Sequence, residues 1–161
     1  MSWGKCSITI GKTGALDAMA TTLASIGTIK DKSTNLEMQD GEAKEARATG
    51  GALVAYEEGE PSIKLTTRII EPNYATLATI LDATHDTGAG TLTVKSLVVT
   101  DPYSVQVDPS RTGATGLKIR KSRITYKEGF SEDEGHYADF TFTVLACDDG
   151  ELYQKYKKTA P

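Results

Sequence analysis

Four short stretches of this 161-residue chain hold residue types able to do chemistry. In the first, Ser7-Ile8-Thr9-Ile10-Gly11-Lys12-Thr13-Gly14, a strand pattern runs into Gly-Lys-Thr, as at the end of a phosphate-binding loop. The glycine that opens such a loop is missing, with Cys6 in its place, the next segment is a poor helix former, and no parallel strand-helix-strand pattern follows. A turn after a first strand is the better reading. Asp82-Ala83-Thr84-His85-Asp86 gathers two carboxylates and an imidazole, the makings of an acid/base pair or a set of metal ligands. No second cluster accompanies it, neither His85 nor His136 adjoins a nucleophile motif such as G-x-S-x-G, and a histidine at a helix end is favoured by the helix dipole. Asp148-Asp149-Gly150-Glu151 has adjacent acids where a calcium loop alternates them, and reads as a turn. Cys6 and Cys147 sit near opposite ends in apolar contexts without C-x-x-C spacing; two buried free thiols are expected, a disulfide stapling the termini being the alternative. The reading is a protein that is not an enzyme, with no catalytic, metal or cofactor residues.

The remaining charges come in runs of one sign. Lys118, Arg120, Lys121 and Arg123 crowd one predicted strand, Glu132, Asp133 and Glu134 the turn after it, and Glu57, Glu58 and Glu60 form a second acidic group. Solvated faces are the default for each. Opposite-sign patches on one subunit also suit head-to-tail contacts, which close into rings or propagate as tubes. With 18 basic and 22 acidic residues the net charge is -4, which gives no general attraction to nucleic acid or anionic lipid. No apolar run approaches the roughly 20 residues of a membrane-spanning helix, and the first residues lack the apolar centre of a secretory signal, so a cytoplasmic protein is expected.

Strands must position these groups. Period-two patterns mark 6–10, 26–30, 52–57, 62–70, 91–99, 103–107, 117–126 and 137–147. One amphipathic helix is predicted over 73–82, capped by Asn73, with Tyr74, Leu77, Ile80 and Leu81 on its apolar face, and the chain breaks from Asp82 to Gly90. Residues 15–26 read as a weak helix or loop. Within 117–126 the apolar parity switches between Ile119 and Ile124, which predicts a bulge between Arg120 and Ile124. Residues 154–161 read as a basic mobile tail. The sum is a single mainly β domain over 1–161: two packed antiparallel sheets forming a barrel-like sandwich, flanked by one short helix.

Between Asp31 and Glu60 the pattern fails. From Ile29 to Leu53 the sizeable apolar side chains are Leu36 and Met38, set among Asp31, Lys32, Glu37, Asp40, Glu42, Lys44, Glu45 and Arg47, and Gly50-Gly51 marks a turn. So long a stretch without its own core is uncommon unless it does a job or is ordered by a partner. Ordering it costs roughly 1 to 2 kcal/mol per residue, which docking on a neighbour can offset. The stretch reads as an arm, and Asp31, Lys32, Leu36, Met38, Glu42, Lys44, Glu45, Arg47, Glu57 and Glu58 join the charge runs as candidate contacts between subunits.

The segments Ile26-Gly27-Thr28-Ile29-Lys30-Asp31-Lys32-Ser33-Thr34-Asn35-Leu36-Glu37, Asp40-Gly41-Glu42-Ala43-Lys44-Glu45-Ala46 and Gly50-Gly51 resemble the N-terminal half of bacteriophage tail tube (major tail) proteins. The likeness covers residues 26–84 in detail and the rest by strand order. It is shared with the tube proteins of contractile injection and type VI secretion systems. The resemblance implies six-membered rings of identical subunits stacked into a hollow tube, with 31–60 as a loop or hairpin reaching the next subunit or ring. It implies strands lining a channel for DNA or effector, sheath, tape-measure or tail-terminator partners, DNA only as non-specific cargo, and a virion tail assembled in a bacterial cytoplasm. The family has no catalytic residues to carry over. Two other classes compete. A stand-alone β-sandwich module for a carbohydrate or surface ligand would stack it on Trp3, Tyr56, Tyr74 or Tyr103; a small hydrolase would use His85 with Asp82 or Asp86.

Overall fold

The computed structural model describes residues 3–41, 44–57 and 61–160. Their elements are β1 (Cys6–Lys12), β2 (Ala24–Ser25), β3 (Gly27–Ile29), β4 (Asn35–Gln39), β5 (Lys44–Arg47), β6 (Leu53–Glu57), β7 (Ser62–Pro72), α1 (Tyr74–Ile80), β8 (Asp82–Asp86), β9 (Thr91–Ser96), β10 (Pro102–Pro109), β11 (Thr115–Ser131), β12 (Gly135–Val144) and β13 (Gln154–Lys157). The chain is mainly β with one α-helix, as expected. Nine strands make one antiparallel sheet in the order β2-β1-β10-β11-β12-β7-β3, with β13 beside β11 and β4 beside β7; β5 pairs with β6, and β8 with β9.

This sheet folds into a sandwich at β11, whose 17 residues serve both layers. Its first half runs with β10 and β13, its second with β12. The hinge is the bulge expected from the parity switch. Ile119 faces Val105 and Ser122 faces Tyr103, so Arg120 and Lys121 both oppose Ser104. Arg120's carbonyl accepts from the hydroxyls of Thr13 (2.8 Å) and Ser104 (2.9 Å), Ser104 Oγ accepts Ala20's amide (2.9 Å), and Ser122 Oγ donates to Tyr103's carbonyl (2.8 Å). Ser104 and Ser122 are fully buried, and each is satisfied by these bonds.

Past the bulge, side chains of both layers face one core. Ile8, Ile10, Val105, Val107 and Ile119 meet Leu65, Ile69, Ile124, Phe140 and Phe142 there. At its margin α1, capped by Asn73 Oδ1 through the amides of Ala75 (3.1 Å) and Thr76 (3.4 Å), adds Leu77 and Ile80. The sheet's two ends meet on one short segment: Ala24 and Ser25 pair with β1, and Gly27 to Ile29 with β7. Among the described residues no unbroken ladder closes it into a barrel. Gly27 makes the switch at φ 127°, where a Cβ would lie 2.2 Å from Glu71's carbonyl oxygen.

Four local expectations change. Residues 15–26 form a 3-10 turn at Ala15–Asp17, with Leu16 and Asp17 in the left-handed region, and then β2. Asp82 to Gly90, read as a break, opens a hairpin of β8 and β9. Within the stretch read as an arm, Asn35–Gln39 is a strand on β7, because its polar-apolar alternation sets Leu36 opposite Leu65; 44–57 is a hairpin. The expected mobile tail holds β13. Tyr156 lies over Gly116, donates to Val107's carbonyl (3.1 Å) and Asp108's carboxylate (2.8 Å), and Lys158 pairs with Asp108 at 2.8 Å.

A methyl on Gly116 would sit 2.3 Å from Tyr156's ring, so Gly116→Ala should destabilise by about 1–3 kcal/mol, the usual cost of overpacking. Hydrogen exchange should show amides 154–158 losing protection while β12 keeps its own. Unchanged protection of β13 would mean that Tyr156 does not hold it.

Candidate assembly surface

The catalytic leads come apart on the strands that carry them. In β8, Asp82, Thr84 and Asp86 are exposed while Ala83 and His85 turn to the opposite face, because strand side chains alternate. His85 packs edge-on to Tyr74 at 5.8 Å, and Asp86 Oδ1 caps the turn through the amides of Gly88 and Ala89. At the Gly-Lys-Thr stretch, Thr13's amide donates to Pro102's carbonyl, Gly14's to Ala18's, and Lys12 pairs with Asp101 at 3.3 Å. Among the described residues no group of three or more His, Cys, Asp or Glu side chains is placed to hold a metal. Both thiols are free, Cys147 buried and Cys6 half-buried, and burial raises the pKa of each.

The basic run divides at the bulge. Arg120 Nε donates to Asp17's carbonyl (2.9 Å) and Nη1 to Asp149 (2.8 Å) and Glu151 (3.2 Å), while Lys121 lies 3.4 Å from Asp17 Oδ1. Asp17 Oδ2 accepts Asp148's amide at 2.9 Å. That amide first, then Lys121, pulls Asp17 below the usual carboxylate range; Arg120 does the same for Asp149. Two candidate contacts and the 148–151 turn thus knit the corner of the sandwich. Lys118 lies over Tyr156's ring at 5.2 Å, and Arg123 is exposed with no ion pair among the described residues.

Glu134 is likewise taken inward, pairing with Lys30 and with Arg68 (3.4 Å), and Arg68 grips Asp139 with two bonds of 2.7 and 3.1 Å. Lys30 foremost, then Arg68, holds Glu134's carboxyl low. This network ties the 132–134 turn to the corner between β3 and β4. Glu132 and Asp133 stay exposed, as do Asp31 and Lys32. Charge runs read as one patch therefore divide by strand parity and turn geometry, which one-dimensional spacing does not show.

What remains outward is a four-stranded face. Register lines up Asn35, Thr66, Thr141 and Thr125 in one row and Glu37, Lys64, Thr143 and Arg123 in the next, across β4, β7, β12 and β11. Both borders of this face are open among the described residues. β4 pairs with β7 alone, and β11 beyond Arg123 pairs with β12 alone. One border offers Glu37 and the 53 % exposed Met38, the other Arg123 and Lys127.

From the far end of β4 rises the hairpin of β5 and β6, in the register Lys44 opposite Glu57, Glu45 opposite Tyr56 and Ala46 opposite Ala55. Arg47 pairs with Glu45 at 2.9 Å, and Leu53 is 51 % exposed. Every described side chain from Lys44 to Leu53 is exposed. Glu42 and Glu58 lie outside the described residues, and of Glu57 only the backbone is described. The strict alternation of Asn35-Leu36-Glu37-Met38-Gln39 was the available signal for the open β4 edge.

Comparison with models of known protein families and with curated proteins gives no match to this sequence.

Asp17, Asp149 and Glu134 all titrate below their unfolded values, so their stabilisation is complete above the ordinary carboxylate range and is lost as pH falls through their lowered folded values. Thermal melts should therefore show wild type and Glu134→Gln separated at pH 7 and converging as the pH drops below 4. A gap that stays constant down to strong acid would remove Glu134 as an electrostatic tie.

Proposed function

We propose that this chain is a structural subunit that joins copies of itself head to tail into rings, which stack into a hollow tube of the phage tail or injection type. The hairpin 44–57 carries the reading. A lone two-stranded hairpin is at best marginally stable in water, and here every described side chain of it is exposed. A neighbour that covers it supplies what is missing.

The open borders of the four-stranded face support the same reading. An unpaired strand edge is a template for another strand, and the acidic β4 border complements the basic border of β11. Because the two borders differ, pairing them is heterologous, and such contacts close into a ring or run on as a filament. The six-membered ring and the phage or secretion setting come from the sequence resemblance. If the four-stranded face lines the tube, its Lys64, Arg68, Arg123 and Lys127 outnumber Glu37 and Asp139. DNA in contact with it would be attracted, in a salt-dependent way.

A second reading, a sandwich module binding a carbohydrate, rests on Phe130, which is 77 % exposed and stacked on His136 at 4.8 Å. Electron microscopy separates the two. Concentrated wild type should form rings or tubes, and replacing residues 41–60 by a short Gly-Ser linker should abolish stacking while leaving the melting transition within a few degrees. A protein that remains monomeric at millimolar concentration would sink the subunit reading.

A further inference from the structure

β1 has a second ladder partner only at Thr9 and Ile10, with one more bond from Ile26's amide to Ile8's carbonyl. From Gly27 the chain leaves β1 for β7. Cys6 and Ser7 therefore have β10 on one side and, on the other, a cleft of about 810 Å³ reaching across to residues 27–34. Its walls include Trp3, Cys6 and Ile29, all partly buried against the core, with Lys5 and Lys32 exposed at its mouth. This is the gap where the sandwich fails to close.

The charge distribution names an occupant. Residues 40–60 contain six acidic and two basic side chains, which leaves sixteen of each sign in the rest of the chain. The whole net charge of -4 thus resides at the hairpin's roots, in Asp40, Glu42, Glu58 and Glu60, since 44–57 balances Glu45 and Glu57 against Lys44 and Arg47, while Lys5, Lys30 and Lys32 face a single Asp31 at the cleft. Lys30 is engaged by Glu134, so Lys5 and Lys32 are the cations on offer. The hairpin leaves β4 at the end away from the cleft, and at about 3.3 Å per residue the six residues from Thr34 to Asp40 set its root roughly 20 Å off. Its root thus lies away from the cleft of its own chain.

We infer that the cleft between the start of β1 and residues 27–34 is the receptor for the acid-rooted hairpin of the next copy, which lies along the free edge at Cys6 and Ser7 by strand addition. Open edge, apolar floor and cationic mouth match a hairpin that has strand edges, an exposed Leu53 and acidic roots. The inference rests on the proposed function, since it takes the partner to be another copy.

Trp3 is the one tryptophan in the sequence, so intrinsic fluorescence reads the cleft directly. As rings or tubes form, Trp3 emission should shift to shorter wavelength and acrylamide quenching should fall several-fold, with assembly followed in the same sample by electron microscopy. Lys5→Glu with Lys32→Asp should abolish both changes, aspartate being chosen because Lys32 sits at φ 59°. Asp40→Lys with Glu45→Lys, which leaves 40–60 neutral, should do the same, and an equimolar mixture of the two variants should restore both in part, because the unaltered hairpin of one variant then finds the unaltered cleft of the other. All four positions are exposed, and unchanged melting transitions verify the fold. Assemblies that form with Trp3 emission unchanged, or a mixture that restores nothing, overturn the inference and leave the subunit reading standing. Absence of any wild-type assembly overturns both. A dilute hairpin variant whose Trp3 is already more accessible than in the dilute wild type would place the hairpin in its own cleft, which also overturns the inference.

Discussion

The two-residue bulge at Arg120 and Lys121 is the constraint on which the architecture depends. A regular β11 would put Ile119 on one face and Ile124 and Tyr126 on the other, since odd and even positions alternate. One extra residue returns all three to the same core and bends the strand, so a single ladder serves both layers of the sandwich. The displaced backbone stays satisfied because Thr13 and Ser104 donate to the Arg120 carbonyl. Outside, the two bulged side chains gather Asp17, Asp149 and Glu151, and so tie the turns at 15–17 and 148–151 to the corner.

The same long strand is steadied at both ends by one device. Gly116 lies opposite Tyr156 and Gly129 opposite Tyr137, and in each pair the ring occupies the space a side chain on the glycine would fill. Glycine weakens a strand interior by its freedom and its missing side chain, and a cross-strand tyrosine restores the packing. Tyr137 also lies under the Arg68 guanidinium at 4.3 Å, which links that end of β11 to the ion network of Asp139 and Glu134.

Bending one sheet instead of stacking two leaves features that a closed barrel would lack. The layers share β11 on one side but meet on the other through the broken segment 24–29, so a cleft opens beside β1. Among the described residues the second layer keeps two bare borders, and 44–57 forms a hairpin whose described side chains are exposed. Exposed edges are an aggregation liability unless something covers them, and the proposed assembly would give each of them a partner.

Much of this was legible from residue order. The alternation of 62–70 and 137–146, the Asn73 cap before Tyr74, Leu77 and Ile80, and the parity switch after Ile119 are local signals, and each marks its element because side-chain direction follows directly from backbone period. The poverty of apolar residues from Asp31 to Glu60 likewise marked a segment with little core of its own, although Asn35–Gln39 within it pairs with β7. Other features needed distant partners. Asn35–Gln39 is a strand because β7 lies beside it, and 154–157 is ordered because Tyr156 finds Gly116 some forty positions earlier. The division of the charge runs, with Arg120, Lys121 and Glu134 held in ion pairs and Arg123, Glu132 and Asp133 left exposed, follows from which carboxylates and cations the folded sheet brings within reach. Sequence alone determined the periods and the polar segment, because those are properties of neighbouring residues. Tertiary structure decided the edges, the cleft and the ion pairs, because each is made by residues that chain order keeps far apart.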